Sequence, residues 1–179
     1  GQLWPHQGFE SLSNAIPSLR QKFINFHQFS SATLDQIFTA ENLQSAQRYH
    51  ATKSESGIWW NQGNDKYFFQ PLPALAQSSP IQDIFVTNIN QDAYLDVIIA
   101  QNDFTPQPLT GRFDGGTSLI LLGNPTGNFD SMMPSESGIT VPNDVRRIEA
   151  FDINGDRFED LVFLGHSGSP HTFMSRGHE

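Results

Sequence analysis

The sequence contains no cysteine among its 179 residues, so a disulfide framework and a thiolate metal site are both excluded, and cysteine pairing says nothing about redox compartment. Basic residues are scarce: 10 Lys and Arg stand against 19 Asp and Glu, giving a formal charge of -9 and a pI near 4.9. That balance argues against a nucleic-acid backbone or an anionic membrane as partner and suits a cation. No apolar run long enough to span a membrane, no signal peptide and no G-x-S-x-G, H-E-x-x-H or P-loop pattern occurs. Opening on Gly1 rather than Met, the chain reads as an excised or processed segment whose export signal, if any, lay upstream. What is present is enough to fold: 37% hydrophobic residues and 15 Phe, at the length of one ordinary domain or a piece of a larger one.

Residues 1–13 are rich in Gly, Pro and polar side chains without a period, and read as a tail or linker. From 14 to 50 the spacing is helical. Leu19, Phe23 and Phe26 recur at intervals of four and three, Leu34, Ile37 and Phe38 repeat the theme, and Thr33 with Gln36 fits a capping box, with Thr39 a further start. Two or three short helices are expected there.

From 51 to 179 the texture is β-like and it repeats. GIWWNQGNDKYFF (57–69) and SLILLGNPTGNF (118–129) each read as strand, polar turn, strand, and they align with Trp60 on Leu122 and Tyr67 on Phe129. FVTNINQDAYLDVIIA (85–100) and AFDINGDRFEDLVFLG (150–165) align with Asn88 on Asp152, at nearly the same offset. Two independent features recurring together, with several short strands per copy, point to propeller-like repeats, here about two, at 57–116 and 117–179.

The second family of segments carries the chemistry. Asp152, Asn154, Asp156, the backbone of Phe158, and Asp160 occupy alternate positions of one tight loop; Asn88, Asn90, Asp92, the backbone of Tyr94, and Asp96 do the same in the other. Oxygens spaced in this way can face a common centre, and Ca²⁺ takes six to eight hard oxygen ligands. Zinc would prefer His or Cys, absent from both loops. An EF-hand needs an acid at position 12, where Phe163 and Ile99 stand, so that reading fails twice. The alternative is that Asn and Asp only bond their own backbone and cap the strands.

The order strand, D-x-N-x-D-G-type loop, hydrophobic strand, then a hairpin such as LLGNPTGNF, resembles the FG-GAP or VCBS repeats of integrin-type β-propellers. FFQPLPALAQSSPIQDIFVTNINQDAYLDVIIAQND, GRFDGGTSLILLGNPTGNF and PSESGITVPNDVRRIEAFDINGD in sequence resemble the C-terminal blades of bacterial repeat proteins of the ASPIC/UnbV-associated group. LRQKFINFHQFSSATLDQIFTAENL resembles a helical insertion of that group, so the likeness spans roughly residues 17–175. Departures are Asn88 for Asp at position 1, and Ala93 and Arg157 where position 6 is usually Gly.

The expectation is therefore a mainly β segment of about two β-propeller-type blades, built of antiparallel sheets and preceded by a helical insertion. Ca²⁺ is expected at both loops in a structural role, more weakly at the first, which has two carboxylates to the second's three. The resemblance implies a non-enzymatic, extracellular, cell-surface or periplasmic module for adhesion or ligand binding. The alternative is a non-catalytic wall or accessory part of a secreted propeller enzyme acting on polysaccharide, and a bare interblade spacer is a third option. Two blades leave open sheet edges, so other blades of a full-length chain or self-association are the expected partners, with a protein or carbohydrate ligand possible and neither nucleic acid nor membrane insertion.

Other residues weigh less. His166, His171 and His178 are too irregularly spaced for a ligand set. Trp59 and Trp60 point to opposite faces of a strand, one expected in the core. Arg112 and Asp114, around Phe113, are placed to brace a Gly-rich bend. Glu159 and Asp160, adjacent on a strand, cannot flank one bond.

Overall fold

The computed structural model describes residues 2–107 and 110–175. The chain divides into two units, Gly1–Thr52 and Lys53–Glu179.

Among its described residues the first unit holds five short helices, where the sequence suggested two or three: α1 Phe9–Ala15, α2 Leu19–Lys22, α3 Phe26–Ser30, α4 Leu34–Ile37 and α5 Ala40–Ser45. The Leu19, Phe23, Phe26 series does not lie on one helix. Asn25 interrupts it, its side chain accepting from the Gln28 N–H at 2.9 Å and so starting α3 afresh. The Thr33 box forms as expected, with Gln36 accepting from Thr33 N at 2.9 Å, and Thr39 caps α5 through Asn42 N at 3.2 Å. Leu19, Phe23, Phe29, Ala32 and Ile37 make the core, with Phe9 and Phe23 set against Phe29 at ring separations of 5.1 and 5.5 Å. The stretch 1–13 is more than a tail: it carries the start of α1, buries Ser13, and Leu3 O accepts from Leu34 N at 2.9 Å. Phe9 and Leu12 gave α1 an apolar face that the neighbouring Gly and Pro obscured.

The second unit is mainly β, with nine strands in three antiparallel sheets among the described residues. The first sheet is the hairpin β1 (Gly57–Asn61) and β2 (Tyr67–Pro71). The second is a meander of β3 (Ile81–Thr87), β4 (Asp96–Gln101), β5 (Leu119–Gly123) and β6 (Phe129–Met132). The third is β7 (Val145–Phe151), β8 (Asp160–Gly165) and β9 (His171–Phe173). These sheets do not close into a propeller ring. The repeat frame 57–116 and 117–179 also differs from the sheet frame, because the break at 116 falls inside the second sheet, between β4 and β5.

Period-two geometry explains why β4 is apolar on both faces. Val97 and Ile99 enter a cluster with Leu119, Leu121, Leu72 and Ala76 that the first sheet covers through Ile58. Ile98 and Ala100 enter another, with Ile120, Val145, Ile148, Leu161 and Phe163, shared with the third sheet. Ile98, Ile99 and Phe163 are wholly buried. Truncating any one to Ala would cost about 2–5 kcal/mol in lost transfer energy and cavity. Covered on both faces, β4 makes the second sheet the spine of the unit, and its loops project from that spine.

The repeat seen in sequence is a repeat in register. Thr87 pairs with Asp96, and Phe151 pairs with Asp160 at the equivalent place in the later copy; the irregularity between Ile81 and Asp83 recurs between Val145 and Arg147. Each acidic stretch is thus the connection between the first two strands of its sheet. Trp59 and Trp60 depart from expectation: both are exposed, at 59% and 41%, because the two-stranded first sheet covers neither.

Candidate functional site

The two loops are built around the aspartate that ends each. Asp96 and Asp160 are fully buried and both oxygens of each are engaged by backbone donors. Asp96 accepts from Ile89 N at 2.8 Å and from Gly123 N at 2.9 Å; Asp160 accepts from Ile153 N at 2.9 Å and Ser175 N at 2.8 Å. Each carboxylate therefore buckles its loop to the strand region beyond. The first buckle demands Gly at 123, since a Cβ there would meet Leu95 O at 2.3 Å.

The outer loop residues are exposed and differ between copies. In the second loop Asp152 gathers three backbone donors: Gly155 N at 2.7 Å, Asp156 N at 3.1 Å and Arg157 N at 2.8 Å. Asn154 Oδ1 accepts from Asp156 N at 2.9 Å, Asp156 Oδ1 from Phe158 N at 2.9 Å, and Asp156 Oδ2 from the Asn154 amide at 2.7 Å. Turning successive N–H groups inward requires the left-handed backbone, found at Gly155 (φ 79°) and at Arg157 (φ 76°). In the first loop Asn88 donates its amide to the Asp92 carbonyl, Asn90 donates to Asp92 Oδ2 at 2.9 Å, and Tyr94 N donates to Asp92 Oδ1 at 2.6 Å. Gln91, at the position of Gly155, is left-handed (φ 58°), whereas Ala93, at the position of Arg157, is not.

The expected ligand residues are thus brought into two compact loops, but their oxygens are directed at backbone N–H groups. Among the described residues no three His, Cys, Asp or Glu side chains converge as a metal-holding group. The donor chemistry nevertheless fits a hard cation. All side-chain donors are oxygens, and a carboxylate offers about four acceptor sites. Asp156 and Asp160 each use two of these and Asp152 uses three. None of these acids is in an ion pair: those among the described residues are Arg146 with Asp103 and Asp144, and Arg147 with Glu149.

Arg146 is a polar centre that sequence reasoning missed. Its guanidinium reaches Asp144 Oδ2 and Asp103 Oδ1 at 2.9 Å each, Gln82 Oε1 at 2.7 Å and Thr105 Oγ1 at 3.3 Å. Its Nε lies 2.7 Å from Asp144 Oδ1, close enough to pair as charges though poorly aligned for a hydrogen bond. Burial works hardest against this charge, yet Asp144 and Asp103 outweigh it and hold the Arg146 pKa above its ordinary value. Asp103 is held below the usual carboxylate range, first by the Thr105 N–H and then by Arg146. Three of the four partners, Gln82, Asp103 and Thr105, come from the second sheet and its following loop, far from Arg146 in sequence, so the cluster leaves no local pattern.

Arg112 stacks on Phe104 at 5.0 Å rather than pairing with Asp114, and Phe113 and Asp103 exchange backbone bonds of 2.9 Å. His166 and His171 join no metal group, and His178 lies outside the described residues. No helix of the described residues is long and apolar enough to cross a membrane. No protein-family model matches the chain, and comparison with curated proteins and with solved structures gives no match.

Proposed function

We propose that residues 53–179 form a calcium-binding segment of stacked β-sheets akin to FG-GAP or VCBS propeller repeats, in which Ca²⁺ is structural and the module serves adhesion or ligand binding outside the cell. The observation that carries the reading is the recurrence, in the same hairpin position and register of two successive sheets, of an all-oxygen loop closed by a buried aspartate. In the second loop Asp152, Asp156 and Asp160 lie within nine residues, and none of them is in an ion pair among the described residues. A bound cation relieves the repulsion among them and ties the turn, so its binding free energy adds to folding. Asp152, Asn154, Asp156, Asp160 and the Phe158 carbonyl would hold it in the second loop; Asn88, Asn90, Asp92, Asp96 and the Tyr94 carbonyl would hold it in the first, with fewer charges and lower affinity. Weak sites of this kind suit the millimolar Ca²⁺ found outside cells. In this reading the module is non-enzymatic, and the loop acids serve the turn. Calorimetric titration of Ca²⁺ into wild type and Asp156→Ala tests the proposal: uptake in the wild type and its loss in the variant support it, and identical isotherms refute the second site.

A further inference from the structure

Two observations meet where the first sheet covers the second. The first is an open edge. β1–β2 pairs Ile58 with Gln70 and Asn61 with Tyr67, and β5–β6 repeats that register in the later copy, pairing Ile120 with Met132 and Gly123 with Phe129. β5 also carries a strand on its other edge, Leu119 to Leu121 pairing with Ile99 to Val97 of β4. The matching edge of β1, Gly57 to Trp59, carries none among the described residues. An edge of this kind presents unpaired N–H and C=O groups.

The second observation is an uncovered face. Ile84 and Val86 of β3 are each 54% exposed, although their cross-strand partners Ile99 and Val97 lie in the buried cluster on the same side. Their counterparts on β7, Ile148 and Ala150, pack into the cluster between the second and third sheets, and Ile148 N donates to Asp83 Oδ2 at 2.8 Å. What covers that later pair is the β3–β4 hairpin. By the repeat, the bare β1 edge and the bare Ile84 and Val86 mark the place that the β3–β4 hairpin fills one sheet later.

We infer that this place is the docking site of a two-stranded antiparallel hairpin from another polypeptide segment. Its inner strand pairs antiparallel with Gly57–Trp59 by strand addition, and its outer strand lays apolar side chains over Ile84 and Val86. The occupant is apolar on both faces of its inner strand, as Val97, Ile98, Ile99 and Ala100 are, because it too lies between covered faces. It carries an acid where β3 has Asp83, placed to receive the N–H of Ile84. Residues 79–103 of this chain fit that description, which makes them a probe. The inference rests on the repeat-sheet part of the proposed function and not on its calcium.

A fluorescent peptide of residues 79–103 is titrated with the full chain and followed by anisotropy, with a scrambled peptide as control and Ca²⁺ uptake measured on the same preparation. Saturable binding is expected, weakened at least tenfold by the double substitution Ile84→Asp with Val86→Asp. Both side chains are exposed, and the milder Ile84→Ser with Val86→Ser, measured alongside, guards against a folding defect. No saturable binding, equal binding by the variants, or a dimer in sedimentation that the peptide does not displace would overturn the docking site. Failure to bind the peptide while Ca²⁺ is still taken up overturns the docking site alone; binding without Ca²⁺ uptake supports it and counts against the calcium.

Discussion

At position 1 of the first loop Asn88 donates its amide to the Asp92 carbonyl; at the same position of the second, Asp152 accepts from three backbone N–H groups. An amide can complete a turn by itself because it has both donors and an acceptor, whereas a carboxylate can only accept. The carboxylate therefore draws in the backbone from Gly155 to Arg157 and twists two residues into the left-handed region. The first loop stays less anionic and needs one such residue, Gln91. Asn88 against Asp152, beside Gln91 for Gly155 and Ala93 for Arg157, thus separates a turn closed by its own amide from a more acidic one built on backbone donors.

The most severe way to break the comparison is at what the loops share. Asp160→Ala strips Ile153 N and Ser175 N of a buried acceptor, and Asp96→Ala does the same to Ile89 N and Gly123 N. Each should cost about 2–4 kcal/mol in urea unfolding, because two donors are left unmet. A loss under about 1 kcal/mol in either would show that water replaces the buckle. Asn88→Asp tests the difference itself. It removes the amide donor and adds a third carboxylate, so Ca²⁺ affinity at the first loop should rise roughly tenfold by calorimetry; an unchanged affinity would place the contrast elsewhere.

Glycine at position 6 should have opposite signs in the two copies. Arg157→Gly relieves a positive φ and should stabilise by about 1 kcal/mol, whereas Ala93→Gly, with no such strain, should destabilise by roughly 0.5–1 kcal/mol. Equal effects in denaturation would deny the backbone difference. The smallest effect contrasts the loop acids with an acid that has a protein cation. Because the folded-state pKa of Asp103 is depressed, its contribution is full above the ordinary value of 3.8 and fades as pH falls below it. Asp103→Asn should therefore flatten the acid limb of the urea midpoint below about pH 4 and leave neutral Ca²⁺ uptake unchanged.

How far the sequence could be read follows from the range of each interaction. The loops, their flanking strands and the β1–β2 and β5–β6 hairpins were legible because alternation, turn residues and a fixed period are local. The sheet frame was not, since β4 joins β5 across the long connection 102–118, which breaks the repeat unit in two. Trp59 and Trp60 were placed by type, but burial depends on a cover that the first sheet lacks. Arg146 had no local signal at all. At the loops the residue types were readable, while the direction of their oxygens depends on backbone φ at Gly155 and Arg157.

Whether Ca²⁺ stabilises the second unit through the second loop can be measured directly as the urea midpoint with and without millimolar Ca²⁺, in the wild type and in Asp156→Ala. A ligand at about 100 times its dissociation constant adds about 2.7 kcal/mol to the stability of the folded state. The account predicts a clear upward shift in the wild type that Asp156→Ala abolishes; a midpoint indifferent to Ca²⁺ in the wild type, or equally raised in both proteins, would contradict it.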